Sequence, residues 1–442
     1  MELRSHPRTP SSATLALVDG LVHPQRGPVR WLRSVAPDPR DPAYVHVHAE
    51  AVPTRRLPGR PATMLCGGSA LSWEQACCKA VGESVERATI MDWDPVVQLA
   101  SAAEIDPSID VERFDAFHPA QRAEPGFPYP KLRSDSRIGW LPAWSLTRST
   151  STFVPATLAH RFYEARTPDD CFDECPVSGY ACGNTLEEAL LGALCEVAER
   201  DALALCWLQR LAVPALDLSS MPGDTMRDAL SRYARSPVRL YCSELTTDVG
   251  IPAVLVAMAS NAPGWPAVAV ATAADMSHER AVLKALGELS NGAALVRVHR
   301  QSARPLPRTP QQIRSPEDHG LFYAAPSALR HLDLVLRPRR FVRAPVRPAS
   351  PTDDVLASLR EAVRRLAERG LEALAVELTA PDIAARGLHV VKVIVPGMLP
   401  IDFGQMPKHL GVPRLYSAPR HMGHADAATD PAGLNPAPHP FP

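Results

Sequence analysis

Two helical segments about a hundred residues apart end in the same arrangement, Glu-x-x-Glu-Arg, and that repetition constrains this chain more than any other feature. The first is Glu83, Ser84, Val85, Glu86 and Arg87; the second is Glu196, Val197, Ala198, Glu199 and Arg200. Each runs back through an apolar, Ala- and Leu-rich stretch. Carboxylates at this spacing crowd onto one helical face beside an arginine. Glu83 and Glu86, and again Glu196 and Glu199, place like charges one turn apart without a lysine four residues on to relieve them, which destabilises an isolated helix. Hard divalent cations use such carboxylates, and Mg²⁺ takes one or two of them together with substrate phosphates. A solvated acidic face is the alternative reading of either helix alone; its repetition favours a metal–nucleotide site.

Helical geometry of about 100° per residue sorts the second helix further. With Glu188 as zero, Glu199 falls about 20° away, Glu196 about 80°, and Asn184 about 40° on the other side. Glu187 falls about 100° off that face and reads as solvated. In the first helix Glu83, Glu86 and Arg87 lie within about 100° of one another, with Lys79 one turn earlier. A third helix contributes Glu288, with Asn291 three residues on and Lys284 four residues back. No GxxxxGK[ST] is present, which excludes a P-loop.

The 442 residues suffice for a large core, and 45% hydrophobic with 21% charged residues describes a globular chain. A formal net charge of -1 gives no pull toward nucleic acid or an anionic membrane. The start lacks an apolar signal core, and no run is long enough to span a bilayer, so the expectation is cytoplasmic. Nine cysteines, an odd number with an adjacent Cys77–Cys78 pair and no CxxC, argue against a disulfide framework. Cys171, Cys175 and Cys182 lack a fourth zinc ligand close by, so buried free thiols are the reading.

Patterning predicts helices over 72–91, 184–210, 277–296 and 353–370, the last stopping at a C′ glycine, Gly370. Ser72 and Asn184 are the expected N-caps. Residues 15–35 read as strand, turn, strand, and strands are expected at 44–52, 153–157, 176–183, 238–242, 251–259, 266–273, 371–379 and 388–397. Gly67-Gly68-Ser69 reads as punctuation. The irregular alternation predicts an α+β class with a mostly antiparallel sheet. Residues 1–17 read as a flexible tail, 18–430 as one catalytic domain interrupted by a Pro/Arg-rich loop at 303–350, and 431–442 as a Pro-rich C-terminal tail.

Four stretches resemble successive blocks of the YcaO superfamily: GGSALSWEQACCKAVGESVERAT at 67–89, SGYACGNTLEEALLGALCEVAERDALALCW at 178–207, HERAVLKALGELSN at 278–291, and VVKVIVPGMLPIDFG at 390–404 with PRLYSAP at 413–419. Their order and spacing match, from roughly residue 18 to the end. The resemblance implies a YcaO-type fold whose acidic helices line a site for ATP and Mg²⁺. Carried over, Glu83, Glu86, Glu188, Glu196 and Glu199 would coordinate metal. Arg87 and Arg200 would meet phosphate, and Asn184 and Glu288 would help seat the nucleotide.

The ending Pro438-His439-Pro440-Phe441-Pro442 is Pro-x-Pro-x-Pro. Such a tail is ordinarily floppy, yet polyproline geometry stiffens it enough to project a terminal carboxylate. It resembles the ending of azoline-forming cyclodehydratases, in which the tail enters the active site. The resemblance thus implies that Cys, Ser or Thr of a ribosomally made precursor peptide becomes a thiazoline or oxazoline after ATP phosphorylates the backbone amide oxygen. Pro442, with Pro440 and Pro438 behind it, would supply the base or position a neighbour that does. Thioamide or amidine formation, or a catalytically impaired scaffold, are the alternatives.

Three positions depart from the family pattern. Ser69 stands where a lysine is frequent, Lys79 replaces a serine and can restore the lost charge, and Asn291 replaces a glutamine, with Arg297 or Arg300 as distant substitutes for a following arginine. No leader-binding or ThiF-like domain precedes the blocks. A separate partner of that kind is therefore expected, with a flavin-dependent azoline dehydrogenase acting later and a homodimer as a family property.

Overall fold

The computed structural model describes residues 1–107, 109–301, 305–344 and 353–441. Each of three long helices covers one sheet and touches the next. Strands β1 (Val29–Val35), β2 (Val45–Ala51) and β3 (Met64–Ala70) form an antiparallel sheet under helix α1 (Trp73–Asp92). Helix α2 (Leu186–Leu208) lies on a second sheet ordered Gln98–Ala100, Ile138–Ser145, Leu374–Glu377, His389–Ile394, Tyr180–Gly183, with Thr150–Pro155 also paired to Ile138–Ser145. Helix α3 (His278–Gln301) lies on a third, ordered Val268–Ala274, Ala253–Ala259, Arg239–Glu244, Ala215–Asp217, Phe341–Arg343. The pairings are antiparallel except that of Phe341–Arg343 with Ala215–Asp217. Because α1 also reaches Tyr180–Gly183, α2 reaches Val268–Ala274 and α3 reaches β3, the three helices converge.

Gly67 and Gly68 lie inside β3 instead of ending it. A Cβ on Gly68 would stand 2.1 Å from Ala76 O and 2.7 Å from Ala80 N, so glycine is what lets α1 sit directly on the strand. Here the usual meaning of a glycine pair, a turn, gives way to close approach of two backbones. Ser72 caps α1, its Oγ accepting from Gln75 N at 3.3 Å. The α2 cap is Thr185, not Asn184: its Oγ1 accepts from Glu188 N at 3.2 Å. Helix α4 (Val355–Ala367) ends at Gly370, φ 71°, with Leu371 N bonded to Leu366 O, as its C′ glycine predicts.

Three segments differ from expectation. Val18–Leu21 is helical, so only the second half of the expected strand pair at 15–35 is a strand. Residues 1–17 carry a short helix, Ser11–Leu15, and are hydrogen-bonded to α2 and to Asp353–Val355. The described part of 303–350 is no bare loop: it holds the helix Pro316–Tyr323, in which Tyr323 is buried, and the strand Phe341–Arg343. In each case long-range partners decide what a polar, proline-rich sequence leaves undetermined.

The segment after His389–Ile394 is pinned by buried charge. Arg414 donates to Asp201 of α2 at 3.0 Å and pairs with Asp248 at 2.6 Å. His409 lies between Asp173, at 2.9 Å, and Asp402, and burial of the ring is outweighed by these carboxylates, which raise its pKa well above 6.5. A base whose folded pKa is raised stabilises fully below its ordinary value and progressively less as pH rises above it. His409→Gln is expected to cost roughly 3–5 kcal/mol at acid pH. In urea titrations the gap from wild type should narrow steadily toward alkaline pH; a gap independent of pH would contradict the cation assignment.

Candidate nucleotide and metal site

The repeated motif builds the same local device twice. On α1, Arg87 pairs with Glu86 at 3.2 Å and Glu83 at 3.8 Å. On α2, Arg200 pairs with Glu196 and Glu199, both at 3.2 Å. Further backbone and side-chain donors reach three of these carboxylates. Glu83 accepts from Gly67 N at 2.9 Å, Glu196 from Gly179 N at 3.0 Å, and Glu199 from Thr272 Oγ1 at 2.6 Å. From α3, Glu288 pairs with Lys79 at 3.4 Å, and Asn291 hydrogen-bonds His48 beside Gly67.

These groups act on one another across the helices. Burial pushes the Glu86 carboxyl up to about 7; Arg87 opposes the rise, while Glu196 and Glu83 add to it. Glu83 is raised by burial and by Glu288 and Glu196, and Glu199 by burial and Glu196, with Arg87 and Arg200 respectively opposing. The acidic faces of α1, α2 and α3 therefore meet. Among the described residues no three His, Cys, Asp or Glu side chains already converge to hold an ion. An all-oxygen donor set whose repulsion the arginines relieve only in part, with few carboxylates free at any one point, fits Mg²⁺ completed by phosphate oxygens.

Several expected residues sit differently. Glu188 lies at the first turn of α2, about 12 Å along the helix from Glu196. Its oxygens accept from Thr9 N at 2.6 Å and Asn184 N at 3.2 Å. Asn184 Oδ1 accepts from Thr14 Oγ1 at 3.0 Å. Glu187, expected in solvent, is buried and binds Arg4 N and His6 Nε2. Ser69 faces away from open space: its hydroxyl is buried against His46 Nδ1 at 2.7 Å. The side chains of Arg297 and Arg300, and Pro442, lie outside the described residues.

A cationic group flanks the carboxylates. Asp275, 1% exposed, binds Arg280 and Lys284 at 2.7 Å each and Arg8 at 3.7 Å. Burial opposes ionisation there, but Lys284, Arg280 and Arg8 hold its carboxyl well below the ordinary range. Three cations around one anion leave net positive charge, and Lys284 also acts on Glu199. Arg280, Lys284 and Glu288 follow at four-residue spacing on α3, a signal present in the sequence. Arg8 was not legible there, because its segment has no periodicity. Beyond Gly179 a cavity of about 930 Å³ is lined by Ser178, Val197, Lys392, Val395 and Phe117.

The C-terminal tail runs to this site. Trp207 Nε1 donates to Ala437 O at 2.9 Å, Tyr323 to Pro438 O at 2.6 Å and His319 Nδ1 to His439 O at 2.9 Å. Proline at alternate positions removes backbone donors, so these carbonyls depend on side chains for partners. The Phe441 ring packs on the Arg200 guanidinium, 4.0 Å from centroid to Cζ. Pro440 and Gly292 of α3 line one small cavity.

Glu86→Gln should stabilise the metal-free protein, because a carboxyl raised from its ordinary value toward 7 weakens the fold as pH climbs through that interval. The expected gain is on the order of 1–3 kcal/mol above neutrality, vanishing in acid. The same variant should lose most of the melting-temperature rise that Mg²⁺ and ATP confer on wild type. Calorimetry with and without chelator tests both; an undiminished rise would remove Glu86 from the site.

A family model described as YcaO cyclodehydratase, ATP- and Mg²⁺-binding, matches residues 67–399. An uncharacterized protein from the tfuA 3′ region of Rhizobium leguminosarum bv. trifolii is 29% identical over 280 residues, 59% of this chain and 61% of the relative. A solved heterocyclase in complex with substrate and cofactor is 27% identical with a TM-score of 0.81, covering 100% of this chain and 59% of its own. The YcaO of Methanopyrus kandleri bound with AMPPCP and Mg²⁺ shares the fold, at 20% identity and TM-score 0.62, over 90% of this chain and 95% of its own. The chain spans about three-fifths of the length of the first two of these.

Proposed function

The chain belongs to the YcaO family, whose model is ATP- and Mg²⁺-binding, and from that membership we propose that it is an ATP-dependent cyclodehydratase. Its substrate would be a ribosomally made precursor peptide, whose Cys, Ser or Thr closes to a thiazoline or oxazoline. One observation carries this reading: residues 438–441 of the Pro-x-Pro-x-Pro ending are packed in place, with Phe441 against Arg200, the residue that joins Glu196 to Glu199.

Glu83, Glu86, Glu196 and Glu199 would hold Mg²⁺, which when bound neutralises phosphate charge. Glu188 joins them only by giving up Thr9 N or Asn184 N. Arg87, Arg200, Lys284, Arg280, Arg8 and Lys79 would face the triphosphate. The chain's own task is positioning and charge neutralisation, which account for most of phosphoryl-transfer catalysis. Arg200 is well placed for it: its buried Nη1 makes only the ion pair with Glu199 and no well-aligned hydrogen bond among the described residues. The cavity beyond Gly179 offers room for an extended peptide next to Glu196.

The peptide side chain adds to the preceding carbonyl, the resulting oxyanion takes the γ-phosphoryl group of ATP, and phosphate departs as the C=N bond forms. A separate protein that grips the precursor, and a flavin-dependent dehydrogenase acting on the rings, complete the reading. No helix among the described residues is long and apolar enough to cross a membrane, consistent with work in the cytoplasm.

Incubation with ATP, Mg²⁺, the partner and a Cys-containing precursor should remove the mass of one water per modified residue, with one phosphate released for each. Gain of sulfur in place of oxygen would replace this reading with thioamide formation. Deleting residues 438–442 should abolish ring formation while ATP binding stays within about threefold of wild type; full activity of the truncated chain would refute the tail's role.

A further inference from the structure

His439 lies between two prolines of the tail, and its ring is more tightly held than a passive linker requires. It stacks on His319 with centroids 3.9 Å apart and planes 8° from parallel, and Phe403 packs edge-on against both rings. His319 Nε2 accepts from Gly404 N at 3.1 Å, so its proton is on Nδ1, which donates to His439 O. On His439, Nε2 donates to Asp402 O at 2.9 Å. The lone pair of His439 is therefore on Nδ1. That atom is buried and has no hydrogen-bond partner among the described residues, in a residue only 9% exposed.

A buried acceptor without a donor costs about 1–3 kcal/mol, and such a group in a native structure calls for a reason. Its surroundings supply one. At a polyproline rise of about 3.1 Å per residue, His439 stands roughly 6 Å behind Phe441, whose ring covers Arg200. Among the described residues, the buried Arg200 Nη1 makes its ion pair with Glu199 but no well-aligned hydrogen bond, and the buried His439 Nδ1 has no donor. A peptide S–H or O–H supplies the donor that His439 Nδ1 lacks, while Arg200 can turn an N–H toward a phosphate oxygen. Burial, then the neighbouring His319, Lys408 and Arg200, keep the His439 ring neutral, with its lone pair free.

We infer that His439 is a catalytic residue, whose Nδ1 takes the proton of the attacking peptide side chain. The inference rests on the cyclodehydratase reading above. As the S–H or O–H proton passes to Nδ1, the sulfur or oxygen bonds to the carbonyl carbon and the π pair moves onto the carbonyl oxygen. That oxygen bonds to the γ-phosphorus of ATP as the β,γ-bridging P–O bond breaks, releasing ADP. The C–O bond then breaks with loss of the amide N–H proton, giving the C=N ring and phosphate. The proton on His439 returns to the departing phosphate or to water. No oxidant or reductant enters. A hydroxyl needs this base more than a thiol, whose ordinary pKa is far closer to neutrality.

His439→Gln keeps an N–H able to reach Asp402 O and removes the Nδ1 lone pair. Ring formation should be followed for matched Cys and Ser precursors with ATP, Mg²⁺ and the partner protein. Expected is a fall in kcat of roughly 100-fold or more, with KM and ATP binding little changed and a loss larger for Ser than for Cys. A variant as active as wild type, or one with equal losses for both residues, overturns the inference. If wild type itself makes no ring, the cyclodehydratase reading fails and takes the inference with it; active wild type beside unimpaired His439→Gln sinks the inference alone. Should His439→Gln not bind ATP, His439→Ala with added imidazole decides. Restored ring formation supports the role of Nδ1, and no restoration refutes it.

Discussion

Everything at this site depends on carboxylates being held closer together than their charges favour. Arg87 and Arg200 each bridge two glutamates of their own helix; Gly67 N and Gly179 N hold the second oxygen of Glu83 and of Glu196, and Thr272 shares the Glu199 oxygen that Arg200 binds. The compensation is incomplete. Burial and mutual repulsion raise Glu83, Glu86 and Glu199, so the protein alone is poised for a cation. A helix stripped from this setting would not keep such a face. Packing of the apolar faces on three sheets is what forces the acidic faces together.

The same packing explains the small residues around the site. Gly68 admits α1 onto β3, and Gly287 of α3 lies where a Cβ would come within 2.9 Å of Ser69 O. Close backbone approach brings α1 and α3 near enough for Lys79 to reach Glu288. The cations divide by origin. Arg87 and Arg200 neutralise their own helices, whereas Arg280, Lys284 and Arg8 gather on Asp275 and leave charge to spare. An anionic ligand larger than a single carboxylate suits that division.

The two chain ends meet the site from different directions. Residues 4–14 lie over the first turn of α2 and engage Glu187, Glu188 and Asn184. The C-terminal tail approaches the other end of the motif through Trp207, Tyr323 and His319 and lays Phe441 against Arg200. Two of those three anchors come from Pro316–Tyr323, inside a segment whose composition suggested only a loop. Its proline content misled because proline at a helix N1 is favourable, and Ser315 caps this helix just ahead of Pro316.

Sequence alone determined the α+β class, the four long helices, the C′ glycine at 370 and the acidic residues that matter, because periodicity and capping are local and repeat every turn. Family resemblance then supplied ATP and Mg²⁺. Only tertiary structure decided which carboxylates already have partners. Glu188 and Glu187 are taken by backbone N–H groups nearly two hundred residues away, and Ser69 is spent on His46. It also decided that Arg8 joins the cationic group and that His439, unremarked in the sequence, keeps a buried lone pair. The reason is physical: a side chain's type and helical face are written in its neighbours along the chain, but its hydrogen-bond partners depend on which distant segments the packed core brings beside it.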